Sequence, residues 1–288
     1  MEKHNIKKLA EDLELLEGLS RAYANIASTR MKTVRGTVLS SRDFLFSLDE
    51  IFKEVRVSFR RELKKMAKKT KGGAITFIPH NGKTASVFLS ANTGLYGQVI
   101  TKTFRMFMEE IKEKGTEATI VGKLGLSLFL GETPNSPYTY FDFPDYGINR
   151  DLLGDLIKHL VQYDEIHIFY GKFKSLVNQD PEVYNISAQN PMEEIREEVG
   201  KKVANYRFEP SILELLIFFE TEMFTSLFEQ TISEGQLAKF ASRMISMDTA
   251  GENIKHELTK VKLERLRLLH AESNKKITNT FASLAMWR

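Results

Sequence analysis

From Ile6 onward, apolar or small residues recur at alternating spacings of three and four: Ile6, Leu9, Leu13, Leu16, Ser20, Tyr23 and Ala27. The register slips near Arg30 and resumes at Val34, Val38, Ser41, Leu45, Leu48, Phe52, Val55 and Phe59. This is a heptad seam with one stutter, the pattern of a helix that winds around a partner helix. A helix over about residues 5–68 would be roughly 95 Å long at 1.5 Å per residue, and it needs a partner to cover its stripe. The C-terminal flank offers one. After Pro210 the same alternation passes through Leu237, Phe240, Met244, Met247, Gly251, Ile254, Leu258 and Val261. The Met-lined stretch SRMISMDTAGENI (242–254) is therefore half of a coiled-coil seam, with Gly251 allowing close approach of the partner backbone or a slight bend.

Helix breakers agree with this division. All seven prolines fall between Pro79 and Pro210, so both flanks read as long helices around an insert. Within the insert the period changes. GAITFIPH (73–80) and KTASVFLS (83–90) are β-rich runs joined at Asn81-Gly82, which predicts a type I′ hairpin. The loop ANTGLYG opens a helix from Gln98 to about Lys114. EATIVGKLGLSLFL (117–130) predicts a strand, PNSPYTYFDFPDYG a loop, NRDLLGDLIKHLVQY (149–163) a helix and EIHIFYGKF (165–173) a strand. Alternating strands and helices argue a small doubly wound sheet. The expected fold is α/β: a long antiparallel coiled coil of N- and C-terminal helices (1–71 and 208–288) around a small Rossmann-like α/β domain (72–207).

Composition narrows the chemistry more than the fold. The absence of cysteine removes disulfides, thiolate metal sites and a thiol nucleophile. The charged, amphipathic N-terminus lacks the apolar core of a signal peptide, and no run approaches the roughly 20 apolar residues that span a bilayer. A soluble chain, linked to any membrane only indirectly, is expected. Gly82-Lys83-Thr84 looks like the end of a phosphate-binding loop, but the glycine required five residues earlier is Phe77, and a strand rather than a helix follows. Gly94-Leu95-Tyr96-Gly97 leads from strand to helix where a dinucleotide would dock, yet it lacks the third glycine of that fingerprint. The six histidines (4, 80, 159, 167, 256 and 270) form no HxxxH or HExxH pair, and His159 and His167 read as ordinary helix and strand residues. No catalytic set, cofactor site or metal site is expected.

The remaining signal is basic. From Arg30 to Lys71 the chain carries thirteen Lys/Arg against five Asp/Glu, ending in SFRRELKKMAKKTKGG, where cations complement a helix C-terminus. Interleaved aromatics that would favour nucleic acid are missing and the net charge is only +3. An acidic protein partner suits the patch at least as well.

A long N-terminal helix, a Rossmann-like insert and a long C-terminal helix pairing with the first is a rare order, and specific residues give it a likeness. SRMISMDTAGEN (242–253) resembles the A-R-M-x-x-M-x-x-A-x-D-N stretch of the γ subunit of F-type ATP synthases. EIHIFYGKFKSLVNQDPEV (165–183) is similar to that family's strand ending in Y-x-K-F before a polar T-Q-x-P turn. YRFEPSILELL (206–216) resembles its Y-x-Y-E-P lead into the last helix, SANTGLYGQVI (90–100) its S-D-R-G-L-C-G-G-L loop, and IASTRMKTVR (26–35) its M-V-A-A-x-K-M-R-R stretch. The order is preserved along the whole chain. Tyr96 and Gln98 replace the family's cysteine and second glycine, and the terminal I-T-x-E-x-x-[DE] signature is absent, Ile277-Thr278 being followed by Asn279, Thr280 and Phe281. These departures suggest a divergent or γ-like branch of a specialised rotor.

The resemblance implies a central rotor shaft that has no catalytic residues of its own. Its partners would be the α and β subunits of the head ring, an ε-like subunit and the membrane c-ring, with no nucleic acid and no direct membrane insertion. The location implied is peripheral, on the cytoplasmic side of the membrane. Arg30, Lys32 and Arg35 would meet an acidic lever of the β subunit; Tyr206 and Glu209 would touch the membrane ring. Met244, Met247, Gly251 and Ile254 would form the seam, and Phe281, Leu284, Met286 and Trp287 an apolar bearing tip. The competing readings are a γ-like subunit of an F-type-like ATPase with a different output, a small Rossmann-type enzyme with helical arms, and a coiled-coil nucleic-acid binder.

Overall fold

A computed structural model describes residues 2–58, 81–187 and 212–285, with some side chains near the ends of these ranges left aside. Elements follow in the order α1 (Glu2–Ser58), β1 (Thr84–Leu89), α2 (Val99–Lys114), β2 (Glu117–Val121), α3 (Lys123–Glu132), β3 (Tyr138–Phe141), α4 (Arg150–Leu160), β4 (Glu165–Phe173), β5 (Gln179–Ser187) and α5 (Ile212–Ala285). Contacts divide the chain into two compact units: Met1–Ser28 with Arg243–Arg288, and Thr29–Ser242.

In the first unit the ends of α1 and α5 run antiparallel. Ala10 packs with Leu258 and Val261, flanked by Ile6 and Leu13, whereas Ser20 Oγ donates to the Met247 carbonyl at 2.6 Å; the partner number falls as the α1 number rises. The side chains of α1 that turn away from water include Ile6, Ala10, Leu13, Glu17, Ser20, Ala24 and Ala27, a four–three alternation, with Ser28 and Arg30 half-buried beside it. It continues through Met31, Val34, Val38, Ser41, Leu45 and Leu48 in the second unit. The heptad therefore has no stutter. The expected seam members Leu9, Leu16 and Tyr23 are instead 48%, 48% and 41% exposed. At Ala10 and Ala24 a small residue occupies the seam beside a larger exposed neighbour and lets the helix backbones approach, while at the third position the half-buried seam residue is Glu17. Phe52 and Val55 have side chains outside the described residues, as does Phe59 entirely.

On the α5 side Met244, Met247, Gly251 and Ile254 are half-buried, and Leu258 and Val261 are buried. Gly251 is not needed for close approach: a Cβ there would meet Ser20 Oγ at 3.8 Å and Cβ at 3.9 Å, ordinary contact. Glycine inside a helix costs about 1 kcal/mol relative to alanine. Gly251→Ala is accordingly expected to stabilise the chain by about 0.5–1 kcal/mol, read as a raised midpoint in thermal unfolding; a lowered midpoint would mean that the glycine is required there.

The second unit holds a five-stranded sheet among the described residues, in the order β3-β2-β1-β4-β5. β1 pairs parallel with both β2 and β4, β2 with β3 likewise, and β5 closes the far edge antiparallel to β4. Both edges of β1 are thus taken, so KTASVFLS is a central strand and not half of a hairpin; residues 73–80 lie outside the described residues. At Asn81-Gly82 the chain is tied to the lead-in of β4: Asn81 N donates to Gln162 O at 2.8 Å and Gly82 N to Asp164 Oδ1 at 2.8 Å.

Side chains alternate between two cores. Phe88, Ala118, Ile120 and Phe169 face α2 and α3, where Phe107 packs against Phe88, Phe104, Phe129 and Phe169. Ala85, Val87, Leu89, Ile166, Ile168 and Tyr170 face α4, with Leu153, Leu156, Ile157 and Leu160. α4 is capped by Asn149 Oδ1, which accepts from Asp151 N and Leu152 N. The predicted strand 117–130 ends at Val121: Leu124, Leu126, Leu128 and Leu130 alternate like a strand, yet they lie on helix α3, whose buried residues are Gly125 and Phe129, four apart. The region expected to be a loop contains β3, and the polar turn after β4 leads into β5. Pro181 fits there because it faces Gly171 from an edge strand.

Candidate functional site

In a doubly wound sheet a ligand would enter at the C-terminal ends of the strands, where the strand order reverses; here that point lies between β1 and β4. Helix α5 fills it. Phe228 and Ile232 belong to the α4-side core, Leu237 and Phe240 to the α2-side core, so α5 crosses the sheet rim between them. Gly235 passes the Tyr170 side chain, at 3.8 Å from where its own Cβ would be, and Ala238 Cβ lies 3.6 Å from where a Cβ on Gly171 would be. Where a nucleotide would contact the loop after β1, the chain places its own side chains.

That loop is held from two sides. Asp145 accepts from Asn92 N at 2.6 Å, Thr93 N at 3.0 Å and Thr93 Oγ1 at 2.5 Å. Burial pushes the Asp145 carboxyl up, but the bonds from Thr93 and the Asn92 backbone, with the charge of Lys239, outweigh it and hold the group below its ordinary value. From α5, three side chains at successive spacings of three donate to backbone carbonyls: Gln236 Nε2 to Gly147 at 2.8 Å, Lys239 Nζ to Ser90 at 2.6 Å, and Ser242 Oγ to Tyr96 at 2.8 Å. Tyr96 is buried, and its ring packs edge-on to Phe240. Leu95 at the loop tip adopts φ 68° and is 53% exposed, a left-handed conformation unusual for a branched residue.

The three basic residues expected to act together do not share one environment. Arg30 is half-buried, its guanidinium 4.9 Å from the Tyr146 ring centre and 5.9 Å from that of Phe240, a cation–π arrangement. Lys32 and Arg35 are exposed. Further along α1, Arg42 pairs with the buried Glu234 of α5 at 2.7 Å. Tyr206, Glu209, Met286 and Trp287 lie outside the described residues, as does the side chain of Leu284. Phe281 is 68% exposed, within a stretch of α5, residues 270–283, that is exposed throughout.

At the opposite, N-terminal rim of the sheet the titratable groups neutralise one another. Glu110 accepts from His167 Nδ1 at 2.7 Å and from Lys114 at 2.9 Å, and Glu117 from Lys83 at 2.6 Å and from the Tyr163 hydroxyl at 2.7 Å. Among the described residues no three His, Asp or Glu side chains stand where they could hold a metal ion, and no helix is long and apolar enough to cross a membrane. Sequence reasoning passed over Lys239, Asp145 and Tyr146. One signal was available: Lys239 is a lone charge inside QLAKFA, a stretch otherwise suited to burial.

The ATP synthase family matches residues 4–280 of the chain. The chain belongs to that family, as a γ subunit. Among its relatives, the ATP synthase gamma chain of Pelotomaculum thermopropionicum is 22% identical, with 98% of this chain and 97% of the relative covered. That of Elusimicrobium minutum is 25% identical, over 91% and 93%. In fold, the chain is similar to the central stalk of the Tetrahymena thermophila mitochondrial ATP synthase, with TM-score 0.58, 18% identity and coverage of 81% of this chain and 99% of that one. It is also similar to the rotor of the Euglena gracilis enzyme, with TM-score 0.56, 13% identity and coverage of 96% and 99%. The γ subunit is the central stalk of a rotary complex: it carries motion between nucleotide chemistry in the head and ion movement at the membrane.

Proposed function

We propose that this γ subunit turns inside a ring of alternating α and β subunits, joined below by an ε-like subunit and a membrane c-ring, on the cytoplasmic side of the membrane. The observation that carries this reading is the antiparallel pairing of α1 with α5, in which α5 continues from its last buried seam residue, Val261, to Ala285. A paired rod with a single-helix extension is stiff and asymmetric, and unlike faces bias surrounding sites differently. Leu9, Leu16, Leu19, Tyr23 and Ile26 leave one flank of α1 apolar and exposed, which supports a rod surrounded by protein. The exposed stretch 270–283, which contains Phe281, supports a bearing tip completed by Leu284, Met286 and Trp287, since apolar contact is non-directional and tolerates rotation. Tyr206 and Glu209 are assigned to the membrane ring by likeness to the family's motif.

Native isolation of the tagged chain, with identification of its companions, tests the assembly. Recovery with α, β and c-ring subunits is expected; recovery alone or with unrelated proteins overturns the proposal. The lever contact is assigned to Lys32 and Arg35, because Arg30 is committed to Tyr146 and Phe240. Lys32→Glu with Arg35→Glu should lower coupled turnover of the assembled complex by roughly five- to thirtyfold, from two exposed pairs at about 0.5–1 kcal/mol each, with no shift in the unfolding midpoint. Unchanged turnover would make them a solvated face.

A further inference from the structure

Helix α5 fastens the loop rim with buried, directional bonds, and this matters mechanically. Lys239 is 8% exposed, its ammonium 2.6 Å from the Ser90 carbonyl and 6.0 Å from the centre of the Tyr96 ring. Burying an ammonium is costly unless it is bonded and paired, and at this position, between Leu237 and Phe240, an apolar side chain would pack without that cost. Lys239 also lies near enough to Asp145 for its charge to favour the carboxylate that holds Asn92 and Thr93. Gln236 and Ser242, one step of three to either side, bond Gly147 and Tyr96. Apolar packing allows one surface to slide over another, whereas a hydrogen bond weakens steeply as its angle departs from linear.

We propose that Lys239 is a positioning residue for energy coupling: with Gln236 and Ser242 it forms a non-slip joint between α5 and the loops 90–97 and 142–148 of the α/β domain. Under torsional load the joint keeps the domain turning with the helix. This inference rests on the shaft reading above.

The test uses the assembled, membrane-bound complex carrying Lys239→Met, which keeps length and packing but removes the charge and the donor. ATP hydrolysis should persist, ions pumped per ATP against an opposing gradient should fall at least about twofold, and exchange of the Asn92 and Thr93 amides should rise about tenfold as the loop opens. Leu237→Ala, in the same helix and buried in the α2-side core, controls for destabilisation alone and should leave the pumping ratio unchanged. An unaltered ratio in Lys239→Met, or an equal fall in Leu237→Ala, overturns the joint. Should Lys239→Met not assemble, Ser242→Ala removes one donor without stranding a charge and should give the same selective fall; an unaltered ratio there overturns the proposal as well. Failure of the shaft reading is distinguishable, because the unmodified chain would then not be recovered with α and β subunits.

Discussion

Gly122→Ala is expected to destabilise the α/β domain by about 3–5 kcal/mol, a large fraction of the stability of a typical folded domain. Gly122 sits at φ 99°, ψ 142°, a region populated essentially by glycine alone. A Cβ there would lie 2.8 Å from Ala91 C and O and 2.9 Å from Ala91 N. These are backbone atoms, so no rotamer change relieves the overlap. The backbone cannot easily retreat either: Gly122 N donates to Phe141 O at 3.0 Å and Leu124 N to Ala91 O at 2.8 Å, which ties the start of α3 to the loop after β1 and to β3. Urea unfolding of the full chain measures the effect. A loss under about 1 kcal/mol would mean that the cradle yields and that the close approach does not constrain this position. The contrast with Gly251→Ala, expected to stabilise, rests on the same geometric quantity with the opposite sign.

Asp145→Ala should cost about 3 kcal/mol at neutral pH, because it removes the acceptor of the Asn92 and Thr93 backbone N–H groups and of the Thr93 hydroxyl, together with a negative charge that acts on the buried Lys239. The folded-state carboxyl is held below its ordinary value, so its contribution is fully present above the unfolded value of about 3.9 and is lost as pH falls through the lower folded value. The stability gap between the parent chain and Asp145→Ala should therefore be wide at pH 7 and narrow below about pH 4. Urea unfolding at pH 7 and at pH 3 checks this; a gap of equal width at both would show that the carboxylate charge is not what holds the loop.

Local chemistry made much of the architecture legible. Prolines confined to the middle of the chain marked two long helices, and the motif at 242–253 placed the chain in its family. The alternation EIHIFYGKF marked β4 to the residue, and α2 and α4 followed from amphipathic spacing. Each of these signals is carried by a residue's own backbone preference or by neighbours within a turn or two.

What failed was whatever depends on a partner distant in sequence. Periodicity revealed a heptad on α1 but not its phase: Leu9, Leu16 and Tyr23 compete with Ala10, Glu17 and Ala24, and only the approach of α5 makes the second set the one turned from water. The leucines of 124–130 keep a strand's period, yet the approach of Ser90 and Phe88 to Gly125 favours a helix whose sharp start at Gly122 only glycine permits. The apolar setting of QLAKFA hints that Lys239 is buried, but nothing local says which acceptor it meets. Its role exists because α5 crosses the rim of a sheet whose first strand lies some 150 residues earlier in the chain. The sequence by itself determined the two long helices, β4, α2, α4 and the family, since these follow from propensity, pattern and motif; α3, β3 and β5 escaped it. The tertiary structure alone decided which face of each helix is buried, that the nucleotide crevice is filled from within, and which charges are bonded there, because burial and electrostatics are properties of neighbours that the chain meets only once folded.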